Sequence, residues 1–218
     1  MKNIIFLGAP GSGKGTHSNM LITDFGYTQI STGDLLREII AQESELGQKI
    51  KNIIASGEFV SDDIILELIK KKLENVEGKP FILDGFPRNL TQAQVLDKML
   101  AEKKIDYQVI YLDVDEETCK KRIVGRLTCK CGRSYNLFTE DLKPKVENIC
   151  DECGSTLTKR EDDNEEAFTK RFKLYMENTT PLLGYYESEG KLITIDANQN
   201  ENKDRLDIHK EIVGVIND

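Results

Sequence analysis

Gly8-Ala9-Pro10-Gly11-Ser12-Gly13-Lys14-Gly15-Thr16 follows directly on the apolar run Asn3-Ile4-Ile5-Phe6-Leu7. A buried strand, a glycine-rich turn and then a helix is the order needed to wrap backbone around a phosphate chain. Glycines at 8, 11, 13 and 15 leave no Cβ to hold the main chain off phosphate oxygens. The amides of the turn and of the helix N-terminus then face the anion, and the helix dipole favours negative charge there. Lys14 adds a mobile cation for β- and γ-phosphates, and Thr16 a hydroxyl beside them. A turn that merely joins strand to helix needs neither four glycines nor a lysine. The stretch implies a bound nucleotide.

Composition sets the context. With 218 residues, 39% hydrophobic and 31% charged, the chain has an ordinary globular balance and length enough for one sizeable core with insertions. The opening Met1-Lys2-Asn3 and its short apolar strand do not read as a signal peptide, and no run reaches membrane-spanning length. The expectation is a cytoplasmic protein without a membrane partner. A formal charge of -8 argues against broad adhesion to nucleic acid. An anionic substrate therefore requires positive charge concentrated locally against the global sign.

Five cysteines divide into one and four. Cys119 lies in a helix-like stretch and reads as a lone buried thiol. Cys129, Cys131, Cys150 and Cys153 form two pairs, each followed by a glycine, Gly132 and Gly154. In a reducing compartment four thiolates suit tetrahedral zinc before they suit disulfides, with reduced free thiols as the alternative. The first pair is Cys-x-Cys, where Cys-x-x-Cys is usual, so its backbone must turn differently to face both sulfurs to one ion.

Short β-rich apolar runs at Ile4–Leu7, Phe81–Leu83, Val109–Val114 and Leu192–Ile195, with Tyr27–Ile30 as a weaker fifth, read as buried parallel strands. Helical patterns lie between them, for example Ile64, Ile65, Leu68, Ile69 and Leu73 with Ser61 as N-cap. Alternation of the two predicts an α/β fold, a five-stranded parallel sheet flanked by helices. Two stretches interrupt it. The expected division is a core of 1–30, 61–126 and 165–218, with an insertion at 31–60 and a second, cysteine-bearing insertion at 127–164.

Three further segments join the phosphate loop: Ser31-Thr32-Gly33-Asp34-Leu35-Leu36-Arg37; Leu83-Asp84-Gly85-Phe86-Pro87-Arg88 with Gln92; and Arg160-Glu161-Asp162-Asp163-Asn164-Glu165-Glu166 with Arg171. Together, in order and across essentially the whole chain, they closely resemble the adenylate kinases, in the long bacterial-type form whose lid often carries a zinc knuckle. Cys129-x-Cys131 and His17, where glutamine is commoner, depart from the usual pattern. The resemblance implies the fold of phosphate-loop kinases and reversible, Mg²⁺-dependent transfer of the γ-phosphoryl of ATP to AMP, giving two ADP, by a monomer.

By that resemblance, Gly11, Ser12, Gly13, Lys14, Gly15 and Thr16 hold the donor phosphates. Arg37 and Arg88 grip the AMP phosphate, Thr32, Gly85 and Gln92 frame AMP and its adenine, and the backbone at Glu58, Phe59 and Val60 lines the same base pocket. Arg126 contacts ATP, Ser134 and Tyr135 lie near its adenine and ribose, and the chain from Ala197 to Gln199 closes over the base. Arg160 and Arg171 converge on the transferring phosphoryl. Asp84 orients Mg²⁺ through its waters. Asp162, Asp163, Glu165 and Glu166 read as hinge partners of these arginines. The residue types suit the chemistry: a phosphate monoester with second pKa about 6 needs little general-base help, so charge neutralisation is the main task.

Other readings stay open on sequence. A kinase for UMP or CMP shares the loop, the arginines and the fold. A phosphate-loop ATPase or switch without a monophosphate acceptor is a different class, disfavoured by Arg37, Arg88 and the Asp84–Arg88 segment. A zinc-ribbon nucleic-acid module at the cysteines sits poorly with Glu140, Asp141, Glu147, Asp151 and Glu152 around it.

Overall fold

In the strand Asn3–Leu7 (β1), Ile4 and Phe6 pack into one apolar cluster and Ile5 and Leu7 into another. Period-two geometry sends alternate side chains to opposite faces, and both faces are apolar because both are covered by helices. In the computed structural model, which describes residues 1–76, 78–199 and 203–217, β1 is the central strand of a five-stranded sheet. Its neighbours are Phe81–Asp84 (β3) and Tyr107–Asp113 (β4), and Thr28–Ser31 (β2) lies beyond β3 at the edge. The sheet closes with the late strand Leu192–Asp196, the seventh in the chain (β7). The order is β2-β3-β1-β4-β7 and every pairing is parallel. All five expected strands are present, the weak fifth as the edge strand β2.

Helices Lys14–Phe25 (α1), Thr32–Ile40 (α2), Glu45–Ala55 (α3), Asp62–Glu74 (α4) and Leu90–Glu102 (α5) follow one another through the first half of the chain. Glu116–Val124 (α6), Glu165–Leu174 (α7), Pro181–Ser188 (α8) and Arg205–Asn217 (α9) complete the set. Ser31, Asn89, Asp115 and Asn164 each accept a backbone N–H three residues on, at 2.8–3.3 Å, which fixes where their helices begin. Ser61 does precede α4 as expected, but its side chain makes no cap bond; Asp62 and Asp63 supply negative charge at that end instead.

Residues 31–60 carry α2 and α3, packed on each other as a helical pair beyond β2. The cysteine region opens with a short hairpin, Arg126–Thr128 (β5) against Ser134–Asn136 (β6), extended by a bridge from Thr128 to Thr158. Its own small core is Leu127, Cys129, Tyr135, Cys150 and Leu157. Among the described residues no helix is long and apolar enough to cross a membrane.

Candidate active site

Carboxyl ends of parallel strands, where adjacent connections leave to opposite sides, form the crevice that α/β sheets use for ligands. Here the turn after β1 lies in that crevice beside Asp84 at the end of β3. Two glycines in the turn are sterically required. A Cβ on Gly11, at φ +90°, would lie 2.5 Å from the Cys119 carbonyl oxygen, and one on Gly8, at φ +149°, 2.9 Å from that of Leu112. The turn is thus pressed onto α6 and β4, with α1 starting at Lys14 and its free amides facing the crevice.

The Lys14 ammonium donates to the carbonyls of Gly8 and Ala9 at 2.8 and 2.9 Å and to Ser12 Oγ at 3.2 Å. Burial pushes its pKa down to about 8, with Asp84 working against the shift. Burial acts oppositely on Asp84, raising its pKa against the pull of Lys14 and of the 3.1 Å bond donated by Gln29 Nε2. Its carboxylate stands over Gly15, 3.7 Å from where a Cβ would be.

A cavity of about 900 Å³ spreads from this point. Lys14 and the arginines at 37, 88, 122, 126, 160 and 171 all line it. The loop residues Gly11, Ser12, Gly13, Gly15 and Thr16 line it as well, with Asp84, Ser134 and Gln199. Arg37 pairs with Asp34, Arg126 with Asp163 and Arg171 with Asp162. Among the described residues, Arg88 and Arg160 have no carboxylate within ion-pair distance. Burial, with Arg171 beside Arg88 and Arg126 beside Arg160, lowers both their pKa values to about 10. An acidic chain has therefore gathered uncompensated positive charge in one concave place, which suits a polyanion.

A smaller pocket of about 70 Å³ adjoins it, lined by Thr32, Glu58, Phe59, Val60, Gly85 and Gln92. Thr32 Oγ1 donates to the Gly85 carbonyl at 2.9 Å, and a Cβ on Gly85 would lie 2.8 Å from that hydroxyl. Arg88 Nε donates to the same carbonyl at 2.8 Å while its guanidinium lies 5.1 Å from the centre of the Phe59 ring. Phe59, Arg37, Arg88 and Arg171 bound both spaces, so the smaller pocket opens towards the arginines.

On the other side of the loop, Arg122 donates to the Ala197 carbonyl at 3.3 Å and to Gln199 Oε1 at 3.1 Å. Its own carbonyl accepts from Asn136 Nδ2 at 2.7 Å. Sequence reasoning passed over Arg122; its spacing of one helical turn from Arg126 was the available signal. Tyr135 reaches the cavity wall, but its ring is turned into the small cysteine-bearing core. Its hydroxyl accepts from Asp151 N at 2.7 Å and lies 3.4 Å from Cys150 Sγ. On a strand, neighbours alternate sides, so Ser134 and Asn136 face where Tyr135 does not. Of the four acids expected to hold arginines, Asp162 and Asp163 do. Glu165 and Glu166 pair with Lys120 and Lys170 instead.

The four cysteine sulfurs lie within 4.8 Å of one another, with Cys129–Cys153 at 3.3 Å and Cys131–Cys150 at 3.7 Å. A tetrahedron with Zn–S bonds of about 2.3 Å places sulfurs about 3.8 Å apart, so the set fits that ion. The shortened pair is accommodated by a four-residue turn: Gly132 N donates to the Cys129 carbonyl at 3.0 Å, with Gly132 at φ +91°. Cys119, as expected, is fully buried and apart from them.

A phosphate loop, a ring of arginines and an adjoining pocket that opens onto them define a phosphoryl-transferring kinase whose acceptor is a nucleoside monophosphate. The model of the adenylate kinase family matches residues 6–191. Relatives carrying the same name include one from Thermosipho africanus, 46% identical over 99% of this chain and 98% of its own length. One from Archaeoglobus fulgidus is 45% identical over 98% and 97%. One from Nitrosococcus oceani is 46% identical over 91% and 93%. The chain belongs to the adenylate kinase family.

Proposed function

We propose that the chain transfers the γ-phosphoryl of ATP reversibly to AMP, giving two ADP. The observation that carries this is the convergence of Lys14 with Arg37, Arg88, Arg126, Arg160 and Arg171 on one cavity between a phosphate loop and a second, smaller pocket. ATP lies along the loop with its base towards Arg122 and Gln199. AMP lies in the Thr32–Gln92 pocket with its phosphate on Arg37 and Arg88. The two meet in line.

The AMP phosphate is already ionised near neutrality and is its own nucleophile. What the residues do is hold charge. Lys14 exchanges its loop carbonyls for phosphate oxygens. Arg88 and Arg160, lacking carboxylate partners, keep their donors for the equatorial oxygens of the moving phosphoryl, and Arg126 and Arg171 add to them from their acidic anchors. A bound Mg²⁺ would supply charge neutralisation to the phosphates. Asp84, an anionic oxygen donor beside the loop, would hold it through its waters.

The two insertions, 31–60 and 127–164, act as flaps that exclude water, so AMP and not solvent receives the phosphoryl. Cys129, Cys131, Cys150 and Cys153 would hold zinc, which stiffens the second flap and takes no part in the reaction. The assignment to a cytoplasmic monomer acting without nucleic acid or membrane rests on family resemblance, the net charge of -8 and a thiol cluster suited to a reducing compartment. A coupled assay with ATP, Mg²⁺ and AMP, UMP or CMP tests the reading. ADP formed only with AMP supports it; ADP formed equally without any acceptor would remove it.

A further inference from the structure

Gln92 is 97% shielded, and both ends of its amide are already engaged on one side. Its Oε1 accepts the Arg88 backbone N–H at 2.7 Å, and its Nε2 donates to Asp62 Oδ1 at 2.6 Å. Asp62 takes two more contacts from Asn89 Nδ2, at 3.2 and 3.1 Å. Asn89 is itself fixed as the N-cap of α5, accepting Gln92 N at 2.9 Å. The amide can stand only one way round. Rotated by half a turn, its oxygen would face the Asp62 carboxylate and its NH₂ the Arg88 N–H, two repulsive contacts in place of two bonds.

From this we infer that Asp62 is a positioning residue for acceptor-base selectivity, fixing the polarity with which Gln92 meets the base. The inference rests on the proposed placement of the AMP base in the Thr32–Gln92 pocket. One N–H and one oxygen lone pair remain on the amide, an acceptor beside a donor in fixed order. Adenine offers the complement, an amino donor at C6 beside a ring-nitrogen acceptor, and glutamine is a suitable bidentate partner for it. Hypoxanthine has the same ring size but carries an acceptor oxygen at that carbon. A locked amide rejects it, and a freed amide turns to meet it. The 2.6 Å bond to the Asp62 carboxyl is the shorter of the two restraints. Arg88 N–H alone holds the orientation less tightly.

The experiment is direct competition between AMP and IMP as acceptors, reported as the ratio of their kcat/KM values. Measured within one sample, that ratio does not depend on how much of a variant is folded. The parent enzyme should prefer AMP strongly. Asp62→Ala should narrow the preference about tenfold, the size expected for losing part of a bidentate base contact. Asp62→Asn keeps an oxygen for Nε2 and should stay near the parent. Gln92→Leu should collapse the preference altogether. If Asp62→Ala leaves the ratio unchanged while Gln92→Leu collapses it, Asp62 does not orient the amide. Equal collapse in Asp62→Asn and Asp62→Ala would overturn the hydrogen-bond account. An unchanged ratio in Gln92→Leu would remove the base placement itself.

Discussion

Arg126 and Asp163 meet side-on across the two stems of the cysteine-bearing insertion. Arg126 Nε donates to Oδ2 at 2.8 Å and Nη2 to Oδ1, with the Asp163 side chain wholly buried. One residue earlier, Asp162 takes Arg171 Nη1 at 2.8 Å. Two consecutive carboxylates thus anchor an arginine from each side of the insertion, and both arginines face the nucleotide cavity. The stems of the insertion and the proposed charge cage thus share these residues.

Asp163→Ala should therefore injure fold and chemistry together. Truncating the buried member of a hydrogen-bonded ion pair costs about 3 kcal/mol. For a chain of this size that is a melting point lower by roughly 6–12 °C. Calorimetry on parent and variant reads it; a shift under about 2 °C would mean that the pair is not a structural clamp.

Arg88→Ala should separate the two properties. Removing a transition-state guanidinium costs on the order of 10³-fold in turnover. Because Arg88 has no carboxylate partner among the described residues, removing its buried charge should leave the melting temperature equal or higher. Steady-state kinetics beside thermal melts test both. A variant that stays active, or loses stability along with activity, contradicts this placement.

Lys14, with a pKa lowered to about 8, should link nucleotide binding to protons. Below pH 8 it is already charged in the free protein, so ATP binding takes up no proton at this group. Phosphate oxygens raise its pKa, so at pH 9 binding should take up about one proton, and affinity should fall as pH rises through 8. Titration calorimetry at pH 7 and pH 9, each in two buffers of different ionisation enthalpy, measures the uptake. None at pH 9 would exclude the linkage.

Stripping metal with a chelator, or replacing Cys150 by serine, should lower the melting temperature while turnover at low temperature stays within about threefold of the parent. The reason is that Cys129 and Cys150 belong to the insertion's own small core, so an ion held by the four sulfurs would organise that core. Complete loss of activity in a still-folded protein would assign the ion a part in the reaction.

How much of this was legible in sequence depended on whether a residue's partner was local. The strand–turn–helix at the glycine-rich stretch was legible because strand, glycines and lysine are contiguous and the reason for the glycines is steric. The strands read correctly because burial on both faces writes continuous apolar runs. Arg122 was lost inside a charged helical stretch, since its partners at Ala197 and Gln199 are some 75 residues away. Asp62 was invisible for the same reason, 30 positions from the amide it holds. Tyr135 was placed near the nucleotide by motif, but strand alternation and the adjacent cysteines turn its ring inward. Glu165 and Glu166 fall in the same run of acids, yet Lys120 of α6 and Lys170 one turn along their own helix pair with them.

Lys51 of α3 and Glu161 of the cysteine-bearing insertion stand 3.3 Å apart, with Glu161 exposed and Lys51 half-buried. They belong to the insertions 31–60 and 127–164, so if these act as the proposed flaps, opening either one breaks a tie to the other. A solvent-facing pair of this kind is worth under about 1 kcal/mol, a bias of about fivefold or less. It also weakens as electrolyte screens it. With those insertions moving as the proposed flaps, the swing of one would be felt by the other with a strength set partly by the surrounding salt.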